Sequence, residues 1–163
     1  MLQSLYTLYQ GLQHNGFIRW LIVNSFTGSG LEVLHYFSFF IVVGSMFSVD
    51  LRLLGLAANN QSVRQVADRA FPAIWIAMIF NLISGFFMFA GNATSYFENG
   101  WFYFKMAATV VCLLSVVVIQ KKVSGWDQPT VPLAAKITAV VSILLWLGTI
   151  VIAVEVPAIT GVG

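Results

Sequence analysis

Four stretches of this sequence, at about 30–56, 70–91, 101–123 and 133–159, are apolar for longer than a soluble helix needs to be. Each supplies the roughly 20 residues that a helix rising about 1.5 Å per residue requires to cross about 30 Å of hydrocarbon. The segments between them, "AANNQSVRQVAD", "NATSYFENG" and "SGWDQPT", are short and polar and leave no room for a soluble domain. Composition agrees: 59% of the residues are hydrophobic and 9% charged, where a soluble domain carries about a quarter charged. The expected fold class is an all-α membrane protein, a four-transmembrane-helix up-down-up-down bundle forming one domain over 1–163. Pro72 and Pro132 are expected near helix starts and Pro157 near the end of the last helix, where a missing N–H costs least.

Residues 1–28 differ from the rest. In "MLQSLYTLYQGLQ" the apolar Leu2, Leu5, Tyr9 and Leu12 recur at helical spacing, with Gln3, Thr7, Gln10 and Gln13 on the other side. That pattern suits an amphipathic helix lying in the membrane interface, or a simple lead-in to the first span. The next piece, "FIRWLIVNSF", is too short to cross. Nothing before Arg19 is basic, so no cleaved signal peptide is expected at the start.

Basic residues set the expected orientation. Arg52, Arg64 and Arg69 flank the first connection and Lys121, Lys122 and Lys136 the third, which makes six of the eight Lys and Arg. By the positive-inside rule these connections face the cytoplasm and both termini face outward, which in a bacterial inner membrane means the periplasm. A formal charge of +2 without a basic patch gives no reason to expect nucleic acid. Cys112 is alone, so no intrachain disulfide can form.

Ionisable residues inside the spans are few, and such residues are functional candidates because solvating them is costly there. Glu32 and His35 lie in the first turns of the first span, Lys105 near the start of the third and Glu155 near the end of the fourth. In the expected topology all four are near the outer face. Glu32 and His35, at i and i+3, project from one side of their helix, so Glu32 is expected to orient the imidazole. Lys105 and Glu155 are expected to form a structural ion pair. Asp50 and Arg52, with Arg69 and Lys121, read as a solvated cytoplasmic rim, and Asn81 as an interhelical hydrogen bond.

The order "LEVLHYFSFFIVVGSMFSVDLRLLG" followed by "FPAIWIAMIFNLISGFFMFAGNATSYFENGWFYFKM" resembles a family of small uncharacterised bacterial membrane proteins. The shared marks are Glu-x-x-His, a Gly-Ser pair, Asp-Leu-Arg-Leu-Leu-Gly and Phe-x-x-Lys-Met. That family is in turn loosely similar to copper-resistance D and cytochrome b561-like proteins, whose helix-borne histidines bind haem b or a metal. The resemblance implies a redox-associated protein, with haem b held by His35 and a second ligand at the same level: His14, Met88, Lys105 or Met106. Lys105 and Arg19 would meet the propionates, and Tyr36, Phe39, Phe86, Phe87, Trp101 and Phe104 would line the porphyrin. One departure stands out, since this chain has a single histidine in a span. Copper on His35 with Met46 or Met88 is a second possible metal site. Two other readings need no haem. The chain is a non-catalytic accessory subunit of a larger membrane complex, or part of a homo-oligomer, with Gly44, Ser45 and Ser48 as a close-approach face; or it binds quinone at the outer face, with Glu32 or His35 taking the quinol proton.

Overall fold

A computed structural model describes the backbone of residues 2–127 and 130–160 and the side chains of 3–127 and 130–153. Seven helices follow one another: α1 (Leu2–Gln13), α2 (Gly16–Val23), α3 (Ser25–Leu54), α4 (Val63–Gly91), α5 (Ala93–Phe97), α6 (Gly100–Trp126) and α7 (Leu133–Thr160). No strand occurs among the described residues. α3, α4, α6 and α7 are long and apolar enough to cross a membrane. They pack as a closed ring, α3 on α4, α4 on α6, α6 on α7 and α7 back on α3.

Local signals in the sequence set the helix ends. Asn24 caps α3 by accepting from the N–H groups of Phe26 at 3.1 Å and Thr27 at 3.5 Å. Gly55 ends α3 in the left-handed conformation, φ 75°, which a glycine adopts without steric cost. Ser62 and Gln65 form a capping box at the start of α4, each side chain bonding the other's backbone N–H. This cap starts α4 seven residues earlier than hydropathy alone suggests, and it corrects the place of Pro72, which lies inside the helix. Pro157 lies near the end of α7, as expected. Pro132 is where expected, its carbonyl accepting from Ala135 and Lys136.

The core is a column of small and branched side chains. Met46, Val49 and Leu53 of α3 meet Val63, Ala67 and Ile74 of α4, Cys112, Val116 and Ile119 of α6, and Ala135, Ala139 and Trp146 of α7. Alanines and valines let the backbones approach closely, the usual basis of packing where lipid removes the hydrophobic incentive. The outward faces are apolar as well: Phe37, Phe40, Ile79, Phe80, Leu114 and Leu144 are all exposed. In water such a belt would be an aggregation surface, whereas hydrocarbon is its natural solvent.

α1 and α2 are separate short helices, so this stretch is not a continuous lead-in to α3. α1 packs on α4 and α5, and α2 on α3 and α4. Gln13 accepts hydrogen bonds from Thr94 N–H at 3.2 Å and Thr94 Oγ1 at 2.6 Å. Tyr9 meets Phe89 edge-on, and Phe89 stacks on Phe102 of α6. The opposite end of the bundle holds the basic connections, where the Arg64 N–H of α4 donates to Asp127 Oδ1, just beyond α6, at 3.4 Å.

Candidate functional site

His35 is held between α3 and α4. Its Nδ1 lies 3.0 Å from the main-chain carbonyl of Asn81 and 3.2 Å from Ser84 Oγ. A carbonyl only accepts, so Nδ1 carries the proton and donates it. Asn81 returns the contact, its Nδ2 donating to the His35 carbonyl at 2.8 Å. The ring fits because residue 85 is glycine: a Cβ there would stand 2.9 Å from His35 Cε1. Asn81 is thus the interhelical hydrogen bond that the sequence suggests. The expected partner of His35 is replaced, for among the described residues no hydrogen bond joins it to Glu32.

Glu32 instead lines a cleft of about 170 Å³ at the α1/α2 end of the bundle, with Ser25, Ser29, Met88, Asn92 and Tyr96. Four helices build it: α2 through Ile22, α3, the end of α4, and α5. The close seating of α2 on α3 depends on Gly28, where a Cβ would lie 2.5 Å from the Ile22 carbonyl oxygen. Burial, with Tyr36 nearby, pushes the Tyr96 phenol above its ordinary pKa, so it stays a neutral donor. Glu32 is exposed at the cleft. The cleft therefore offers one carboxylate acceptor, one phenol donor, an amide, two hydroxyls and a thioether.

The other expected site residues are dispersed. His14 is exposed and its Nδ1 bonds the Gln10 carbonyl of its own helix at 2.8 Å. Lys105 is half-buried on α6. Met88 lines the cleft, which His35 does not. Met106 is exposed. The Lys105–Glu155 ion pair lies outside the described residues, which do not include the Glu155 side chain.

The His35 tautomer would suit a haem ligand, since an Nδ1–H on a main-chain carbonyl leaves Nε2 free. Of the expected second ligands, His14 and Met106 are exposed and Met88 lines the separate cleft, while Lys105 is half-buried on α6. Tyr36, Phe86, Trp101 and Phe104 point outward and are exposed, and the cleft is smaller than the roughly 300–1,000 Å³ of ordinary cofactor pockets. Neither is there a group of three His, Cys, Asp or Glu able to hold a metal among the described residues.

The expected solvated rim of Asp50, Arg52, Arg69 and Lys121 needs correcting too. Arg52 Nε donates to the Gln61 carbonyl at 2.6 Å and Arg69 Nη1 to Gln61 Oε1 at 3.0 Å. Asp50 takes no part: its side chain is 0% exposed, and neither carboxyl oxygen has a hydrogen-bond partner. A signal for this was in the sequence. Asp50 falls in the 46, 49, 50, 53 register of the buried α3 stripe, next to Met46, Val49 and Leu53.

The model of a family of unknown function, DUF6644, matches residues 14–156, and the chain belongs to that family. The match carries no haem or copper assignment. No curated protein and no solved structure matches the chain.

Proposed function

With membership in a family of unknown function as the premise, we propose that this protein binds the head group of a quinol-type molecule in the Glu32 cleft, at the outer face of a bacterial inner membrane. The observation that carries the reading is the convergence of Glu32, Tyr96 and Asn92 in a space of about 170 Å³ at the end of an apolar bundle. A quinol hydroxyl donates to an acceptor and takes a bond from a donor, which Glu32 and Tyr96 supply. Its prenyl tail needs none and stays in lipid. A space of about 170 Å³ suits a single ring better than a porphyrin.

The topology behind "outer" rests on charge. Both basic connections lie at one end of the bundle, as the contact between Arg64 and Asp127 supports, while α1, α2 and α5 gather at the other. Alternating spans with the basic end in the cytoplasm put the cleft outside, under an interfacial α1.

Titration of the purified protein in nanodiscs with decylubiquinol under reducing conditions, followed by tryptophan fluorescence, tests the reading. Wild type should bind. Glu32→Ala, and Ser29→Leu, which fills the cleft, should each weaken binding at least tenfold, about 1.4 kcal/mol. Equal affinity in all three proteins, or a Soret band in the wild type, would overturn it.

A second reading has its own observation. Gly44 and Ser48 face outward, with nothing within 4 Å of a Cβ at Gly44. On the same side of α3, Leu34, Phe37 and Ile41 border an apolar groove floored by Ser38, Ala73 and Ala77. Such a surface suits a partner helix, as an accessory subunit or homo-oligomer requires. Recovery of a larger complex in a mild detergent, lost in Gly44→Leu, would support this role; a monomer in both would exclude it.

A further inference from the structure

We propose that Asp50 and Ser142 form a binding site within the span for one monovalent positive charge, a proton or an alkali-metal ion, on the seam between α3 and α7. Five buried side-chain atoms lack a hydrogen-bond partner among the described residues. Four of them belong to this seam: Asp50 Oδ1 and Oδ2, Ser142 Oγ and Trp146 Nε1. Buried polar atoms are nearly always paired, so such a concentration marks a place where something else completes the bonding.

The three side chains are 0%, 1% and 2% exposed. The Ser142 hydroxyl faces Asp50 closely enough to act on its carboxyl, although the two stop short of hydrogen-bond geometry. Trp146 lies one turn further along the same face of α7, its indole against Phe39 of α3.

An ionised carboxylate enclosed by Met46, Val49 and Leu53 costs several kcal/mol unless its charge is matched. The cationic side chains at this end are engaged or exposed. On α3, Arg52 is tied to Gln61. On α4, Arg69 is also tied to Gln61, and Arg64 pairs with Asp68 at 3.7 Å. Lys136 of α7 and Lys121 and Lys122 of α6 are exposed. Among the described residues no protein group supplies the counter-charge, so the match comes from a small cation, a proton included. Three oxygens, two from Asp50 and one from Ser142, suffice for a proton. An alkali ion would complete its shell with water, for which the Trp146 N–H is a ready donor.

Infrared spectra of the protein in lipid, together with melting in sodium, potassium and choline chloride, decide the matter. Bound protons give a carboxylic-acid C=O band that Asp50→Asn removes. A bound alkali ion instead raises the wild-type melting temperature in sodium or potassium over choline, and Asp50→Asn abolishes that rise. Should Asp50→Asn fail to fold, Ser142→Ala keeps the carboxyl and must shift the band or weaken ion binding at least tenfold. Carboxylate bands alone with no dependence on the salt, or a Ser142→Ala protein identical to wild type in both measurements, would overturn the proposal.

Discussion

A histidine inside a membrane span needs an acceptor for its ring N–H and room for a bulky ring, and α4 meets those needs at three positions on one face. Asn81 provides both a carbonyl for Nδ1–H and an amide for the His35 carbonyl, Ser84 a nearby hydroxyl, and Gly85 the space. Asn81→Ala removes the return bond and should lower stability by about 0.6–2 kcal/mol, read from unfolding in mixed micelles. Gly85→Ala drives a methyl against Cε1 and should cost about 1–3 kcal/mol. In the His35→Ala background most of that cost should vanish, because the clashing ring is gone. Additive losses in the double variant would show that the two residues do not meet. The hydrogen-bonding part of Asn81 was legible, since a lone amide among apolar residues has few other uses. The partner of His35 was not: a main-chain carbonyl leaves no trace in the side-chain sequence, so the nearer carboxylate of Glu32 drew the inference instead. Asp50 was misplaced for a similar reason, as its neighbour Arg52 suggested a rim whereas its register with Met46 and Leu53 put it inside.

At the level of the helices, hydropathy found the four spans and capping chemistry set their ends. Ser62 and Gln65 hold the first turn of α4 while Val63, Val66 and Ala67 bury against the core. Polar residues such as Arg64, Gln65 and Asp68 in that turn lower its hydropathy, which is why the start seemed to lie at 70. Ser62→Ala should cost about 0.5–2 kcal/mol and show as faster hydrogen exchange at Gln65 and Val66; unchanged exchange there would mean that tertiary packing alone holds the turn. The site depends on a second element contact, between α2 and the start of α3. Thr27 Oγ1 donates to the Leu21 carbonyl at 2.6 Å, and Gly28 lets the Ile22 carbonyl approach. Gly28→Ala cannot be absorbed by a rotamer change because the obstacle is backbone. It should displace α2, reshape the cleft wall at Ile22 and reduce decylubiquinol binding, whereas Gly30→Ala, which meets nothing within 4 Å, should leave binding unchanged.

For the molecule as a whole, the two ends of the bundle differ in chemistry. One end carries Arg52, Arg64, Arg69, Lys121, Lys122 and Lys136 around Asp68, Asp127 and Gln61. The other carries α1, α2 and α5 with an aromatic cluster of Tyr6, Tyr9, Phe89, Tyr96, Phe97 and Phe102. Aromatic rings favour the headgroup level on either side of a bilayer, but Lys and Arg are retained on the cytoplasmic side, so the charges decide the orientation. Asn59, exposed between α3 and α4, and Ser95, exposed on α5, sit at opposite ends, and neither side chain takes part in a cap. Single cysteines at these two positions report the orientation, because native Cys112 is fully buried and reacts little. In intact cells a membrane-impermeant maleimide should label the Ser95→Cys protein. The Asn59→Cys protein should react only after the membrane is opened. The reverse pattern would place the cleft in the cytoplasm and the Asp50 seam toward the outside, and equal labelling of both from outside would mean that the basic end does not fix the insertion.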